Sequence, residues 1–148
     1  MSEYNLRKYY IINKKKKMKE FELINVCNSI DYDKMLNYVE TAFNGNNFKN
    51  SLSKGNILDD INDAVAQYIY DSFGVDLWTT EVYDENDEII FDVAYDWFLD
   101  YYQLYSNKFC KWISLKIVEK IWTNESLDIF QERLFEFLTL FPIQKFKI

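Results

Sequence analysis

Apolar positions recur at helical spacing in several stretches of this chain. Tyr32, Met35, Leu36, Val39 and Phe43 return at intervals of three and four. That period lines one face of an α-helix and predicts a helix over 31–43, with Gly45 as its stop. Ile61, Ala64, Val65, Tyr68 and Ile69 repeat the pattern and predict a helix over 57–73. Asn56 is its expected cap, Asp59, Asp60 and Asp63 favour its positive end, and Gly74 ends it. Phe109, Trp112, Ile113, Ile117 and Ile121 predict a helix over 107–122. Leu127, Phe130, Leu134, Phe137, Leu138 and Phe141 predict another over 125–140, closed by Pro142, the only proline. The short connection between these two predicts an antiparallel pair. From Ala94 to Tyr105 the helical pattern returns, with apolar and aromatic residues around more than one face.

Strand signals lie between these helices. Leu77, Thr79, Thr80, Val82 and Tyr83 favour a strand over 77–83, and Ile89, Ile90, Phe91 and Val93 favour one over 88–93. Asp84-Glu85-Asn86-Asp87 between them predicts a hairpin with a four-residue turn. Residues 20–26 alternate weakly and fit either a strand or a helix start. Asn44 to Ser53 is polar and reads as a loop. The chain shows no repeat and no linker. The expected fold is one helix-rich α+β domain over 20–148, with four to five helices packed on a small antiparallel β-hairpin. Residues 1–19 read as a basic flexible N-terminal arm, with a short strand over Leu6 to Ile12. Met18 directly follows a lysine run, so an alternative start there would leave 1–17 as an extension and the remainder at a charge of −12.

Composition narrows the chemistry. Of 148 residues, 49% are hydrophobic and 19% aromatic, which suits a packed core and excludes a disordered chain. There is no histidine. Ser-His-Asp and Cys-His catalysis, the usual histidine-ligated zinc sites and histidine pH switching are therefore excluded. Cys27 and Cys110 are the only cysteines, too few for a disulfide scaffold, and are expected as buried free thiols. Lys108 and Lys111 flank Cys110 and would favour its thiolate, but the helical pattern around it predicts a packed structural thiol. No apolar run approaches the ~20 residues of a membrane span. A cytoplasmic protein without a membrane partner is the expectation.

The net charge of −7 is mild, but its distribution is not. Residues 1–54 carry ten bases and six acids, and residues 108–148 carry seven bases and five acids. Residues 55–107 hold thirteen acids and no Lys or Arg. Ordinary surfaces mix both signs. The stretch also contains Ile61, Val65, Phe73, Trp78, Phe91, Trp97 and Phe98, so it is folded and is not an acidic tail.

Within it, Asp92, Asp96 and Asp100 fall at i, i+4 and i+8. On one helix they would form a row about 6 Å apart per step, close to the spacing of phosphates along a nucleic-acid strand. Glu81, Asp84, Glu85, Asp87 and Glu88 extend the field, and Tyr101 adds an aromatic rim suited to an interface. Such a surface fits a groove lined with Lys and Arg for nucleic acid. The expected partner is a basic protein, an enzyme or effector that binds nucleic acid. The carboxylates-and-tyrosines surface also suits a homodimer. The competing reading is a solvated acidic face on a structural or assembly protein.

Other chemistries find less support. The oxygen-rich run from Asp84 fails the calcium-loop pattern, with Ile89 where glycine is needed and Tyr95 where glutamate is needed. Paired carboxylates beside aromatics, such as Asp96 with Trp97, are the basis for an enzyme reading of the glycosidase kind. No glycine-rich phosphate motif occurs. The lysine run 14–17 with Arg7, Lys8 and Lys19 could contact phosphates, but the acidic body would repel the same duplex. No cofactor, metal or catalytic residue is expected. The reading is a small acidic inhibitor or neutralising protein, of the kind found among viral or mobile-element inhibitors and immunity proteins.

Overall fold

The structure, a computed structural model, describes residues 16–44 and 57–121, with side chains in the last helix as far as Lys116. In chain order the elements are β1 (Lys16–Lys19), α1 (Glu20–Asn28), α2 (Tyr32–Phe43) and α3 (Ile57–Phe73). Then follow β2 (Thr80–Tyr83), β3 (Ile89–Phe91), α4 (Ala94–Phe98), a π-helical turn (Leu99–Gln103) and α5 (Asn107–Ile121). The predicted strand over 6–12, the Gly45 stop, the Asn56 cap, most of the loop over 44–53, and the helix over 125–140 with its pairing and Pro142 lie outside the described residues.

Helices α2 and α3 form the centre of the core, for the reason their spacing predicts. Met35, Val39 and Phe43 bury one face of α2, and Ile57, Ile61, Val65 and Ile69 bury the facing stripe of α3. The α2 N-terminus is held twice. The Asp31 carboxylate accepts from the Lys34 backbone N–H at 3.2 Å, and the Asp31 N–H donates to the Tyr68 hydroxyl at 2.8 Å. At the other end of α3, Gly74 takes a φ of +72° and donates its N–H to the Tyr70 carbonyl, a left-handed terminus that glycine adopts without strain.

The sheet is larger than the predicted hairpin. Its order is β1-β2-β3, with β1 parallel to β2 and β2 antiparallel to β3. The last four residues read as arm are therefore a strand. They pair in the register Lys16↔Thr80, Lys17↔Glu81, Met18↔Val82 and Lys19↔Tyr83. Met18 and Val82 turn inward to the core, which leaves Lys17, Lys19, Glu81 and Tyr83 on the outer face. The result is one α+β domain with five helices and a three-stranded mixed sheet among the described residues.

A chain starting at Met18 would lose half of β1, including the bond from the Lys16 N–H to the Thr79 carbonyl. Two lost ladder bonds correspond to about 2 kcal/mol, or a melting point lower by about 5 °C, against a chain starting at Lys16. Equal melting points for the two chains would contradict this account of β1.

One element resolves an open alternative toward the helix, and another departs from its predicted form. Residues 20–28 are helical, with Leu23 and Cys27 buried at i and i+4 and Glu20 and Glu22 in the first turn, where the helix dipole favours acids. The expected helix over 94–105 is α-helical only to Phe98 and then widens into the π-turn, ending at Gln103 with φ 53°. Ala94, Tyr95, Trp97, Phe98 and Leu99 are all buried, a set no single α-helical stripe can cover. The turn instead stacks Trp97 on Tyr101 at 4.9 Å and Phe98 on Tyr102 at 5.1 Å between ring centroids.

Candidate acidic interaction surface

The hairpin loop is built from acidic side chains that also shape its backbone. The Asp84 Oδ1 accepts the N–H groups of Asn86 and Glu88, each at 2.9 Å. The Asp87 N–H donates to the Asp84 carbonyl at 3.1 Å, and the Asp84 N–H donates to the Glu88 carbonyl at 2.9 Å. The loop proper is thus three residues, Glu85 to Asp87, one fewer than predicted. Asp87 sits at φ 61°, a left-handed position that Asp tolerates better than most residues.

Charge on the outer sheet face is mixed. Lys19 pairs with Asp87 at 3.2 Å. Lys17 is in register with Glu81 and lies 5.3 Å from the centroid of the Tyr83 ring, whose hydroxyl donates to Glu81 at 3.3 Å. Lys17 and Lys19 therefore flank the acidic hairpin, a juxtaposition that the separation of more than 60 residues along the chain conceals. Glu81 and Asp87 have cations beside them. Glu85, Glu88, Asp92 and Asp100 are exposed, as is Tyr101 at 44%.

The row of Asp92, Asp96 and Asp100 does not form as one helical face. Helix α4 starts at Ala94, so Asp92 lies in the bend after β3, and Asp100 lies in the π-turn. Asp96 alone is on α4, and it is half-buried. Burial holds its carboxyl above the usual carboxylate range, and Asp59 is raised by burial and then by Asp60. Both groups hold protons more tightly in the folded chain. Their contribution to stability is therefore lost as pH rises through the window just above the ordinary value of 3.8.

The remaining acids divide by role. Asp71 accepts from the Tyr38 hydroxyl at 2.8 Å and from Gln67 at 2.6 Å, joining α3 to α2. Asp76 is buried at 7% exposure, and its carboxylate accepts the Trp78 N–H. It shapes the approach to β2 and contributes nothing to an outer surface. The other twelve acids of residues 55–107 are half-buried or exposed.

Residues outside the predicted set complete the site. The Trp97 indole N–H donates to the Glu20 Oε2 at 2.8 Å and ties α4 to the start of α1. Glu20, Phe21 and Ile24 of α1 face Asp84, Glu85 and Asn86 of the loop across a cleft of about 320 Å³, with Lys19 at its edge. Phe21 is 59% exposed. Its weak alternation with Leu23 was legible; its place beside a loop more than 60 residues away was not.

Both cysteines are free and buried, as expected. Burial pushes the Cys27 and Cys110 thiols up to about 12, so Lys108 and Lys111 do not activate Cys110. At pH 8 about one thiol in ten thousand is then ionised, and buried thiolates are poorly accessible. A thiol reagent such as a disulfide dye should leave the native protein unlabelled and label both cysteines once urea unfolds it. Rapid native labelling of Cys110 would contradict this.

Among the described residues, no group of His, Cys, Asp and Glu is arranged to hold a metal ion, and no helix is long and apolar enough to cross a membrane. Comparison of the chain with protein-family models, curated proteins and solved structures returns no match.

Proposed function

We propose that this chain is a small inhibitor or neutralising protein that binds a basic, nucleic-acid-handling protein through its acidic surface. The observation that carries the reading is the unbroken acidic stretch over 55–107, in which twelve of thirteen carboxylates reach the surface or its margin and no Lys or Arg intervenes. Of the three lysines of β1, Lys17 is in register with Glu81 and Lys19 pairs with Asp87. The field left for a partner is the hairpin loop, Glu88, Asp92, Asp100 and the exposed Tyr101 ring. Carboxylates there would meet the Arg and Lys side chains that otherwise hold phosphates. Binding of this kind is steered by long-range attraction and weakens with salt.

The mimicry is of charge density and does not reproduce a regular phosphate ladder, because Asp92, Asp96 and Asp100 are not aligned. The test is a salt series on the complex with a bound basic partner. The logarithm of affinity should fall linearly with the logarithm of salt concentration. A flat dependence would remove the reading and leave a solvated acidic face.

A further inference from the structure

The cleft between the start of α1 and the hairpin loop sets an apolar wall against a carboxylate one. One wall is apolar: Phe21 and, one turn on, Ile24. A singly exposed phenylalanine is ordinary, but this one lines a concavity of about 320 Å³, within the lower range of ligand-binding clefts. The other side is carboxylate: Glu20, Asp84 and Glu85.

Two of these carboxylates are fixed in place. Glu20 is held through Oε2 by the Trp97 indole N–H, and Asp84 is held through Oδ1 by the N–H groups of Asn86 and Glu88. Each keeps its second oxygen for a ligand. Lys19, the one cation among the described residues lining the cleft, is already paired with Asp87 at 3.2 Å. The cleft is therefore pre-organised to accept hydrogen bonds and carries a negative balance.

We propose that this cleft is a docking pocket for one arginine side chain of the basic partner. The proposal rests on the reading above and names the place where that partner is anchored. The methylene stem would lie along Phe21 and Ile24, as long cationic side chains commonly cover apolar surface. The guanidinium would take the free oxygens of Glu20 and Asp84, with Glu85 at the rim. Arginine suits this arrangement better than lysine. Its planar fork reaches two fixed acceptors at once, and its face stacks on an aromatic ring.

The experiment uses the full chain and amide NMR spectra. The probes are N-acetyl-arginine amide and its neutral isostere, N-acetyl-citrulline amide. The arginine probe should give saturable shifts of the Phe21, Ile24 and Asn86 amides, and the citrulline probe should give none. Phe21→Ala and Glu85→Gln, both at solvent-exposed side chains, should each weaken arginine binding about fivefold without loss of fold. Equal shifts from citrulline, or no saturable shift at these amides, would overturn the pocket. A parallel titration with an arginine–glycine repeat peptide separates the two claims. Salt-dependent binding of that peptide without shifts in the cleft overturns the pocket and leaves the acidic surface standing. No binding of the peptide overturns both.

Discussion

Replacing Asn62 by alanine should destabilise the protein by about 3–5 kcal/mol, the largest loss expected from any single polar substitution in the described residues. Asn62 lies on the buried side of α3. Its Oδ1 accepts from the Tyr95 hydroxyl at 2.7 Å and from the Tyr105 hydroxyl at 2.6 Å. Tyr95 and Tyr105 are fully buried and stand before and after the π-turn. One side chain therefore pins both ends of the acidic, aromatic segment onto α3. Alanine removes the acceptor that these two buried hydroxyls share. Losing both partners together is far milder, since an apolar replacement of matched shape leaves nothing unpaired. Asn62→Leu combined with Tyr95→Phe and Tyr105→Phe should thus recover most of the loss. Urea unfolding followed by tryptophan fluorescence measures both variants, with Trp78 stacked on Tyr95 at 4.3 Å as a close reporter. A change below about 1 kcal/mol for Asn62→Ala would contradict the network.

The second large effect is expected in binding. Reversing Glu85, Glu88, Asp92 and Asp100 to lysine should weaken association with a basic partner by about three orders of magnitude at low salt, from roughly 1 kcal/mol per exposed charge. The same variant should fold normally. All four side chains are exposed, so each change should alter stability by at most about 0.5 kcal/mol. Reversal at Asp76 or Asp71 would be a different experiment, because both carboxylates hold structure together. The comparison that isolates charge from fold is the four-lysine variant against the four-amide variant, Glu85→Gln, Glu88→Gln, Asp92→Asn and Asp100→Asn. The amide variant should fall between wild type and the reversal. Equal affinity for all three would remove the acidic surface from the mechanism.

How far these features could be read in advance depended on whether they are local. Helices α2 and α3 and the start of α5 lie where their spacing places them, because a periodic apolar face acts within a few residues, and α3 ends at its predicted Gly74. The hairpin was legible for the same reason. Strand β1 was not: Lys16 to Lys19 carry no alternation that marks a strand, and their partners lie 64 residues away. The π-turn left a trace, in apolar residues on too many faces for one helix, yet that trace does not predict which way the helix relaxes. The acidic block itself was plain from composition. The placing of Lys17 and Lys19 beside Glu81 and Asp87, and the cleft that Phe21 shares with Asp84 and Glu85, arise only when distant segments meet.

The central claim is that the acidic surface takes the place of nucleic acid on a basic partner. Its most direct test is competitive elution. The full chain is immobilised, cell extract is passed over it, and bound proteins are eluted first with salt matched in ionic strength to a solution of a short nucleic-acid duplex and then with that duplex. The account predicts that nucleic-acid-binding proteins are retained by the wild-type chain, are released by the duplex where matched salt leaves them bound, and are not retained by the four-lysine variant. Retention of the same proteins by both chains, with no release by the duplex, would contradict it.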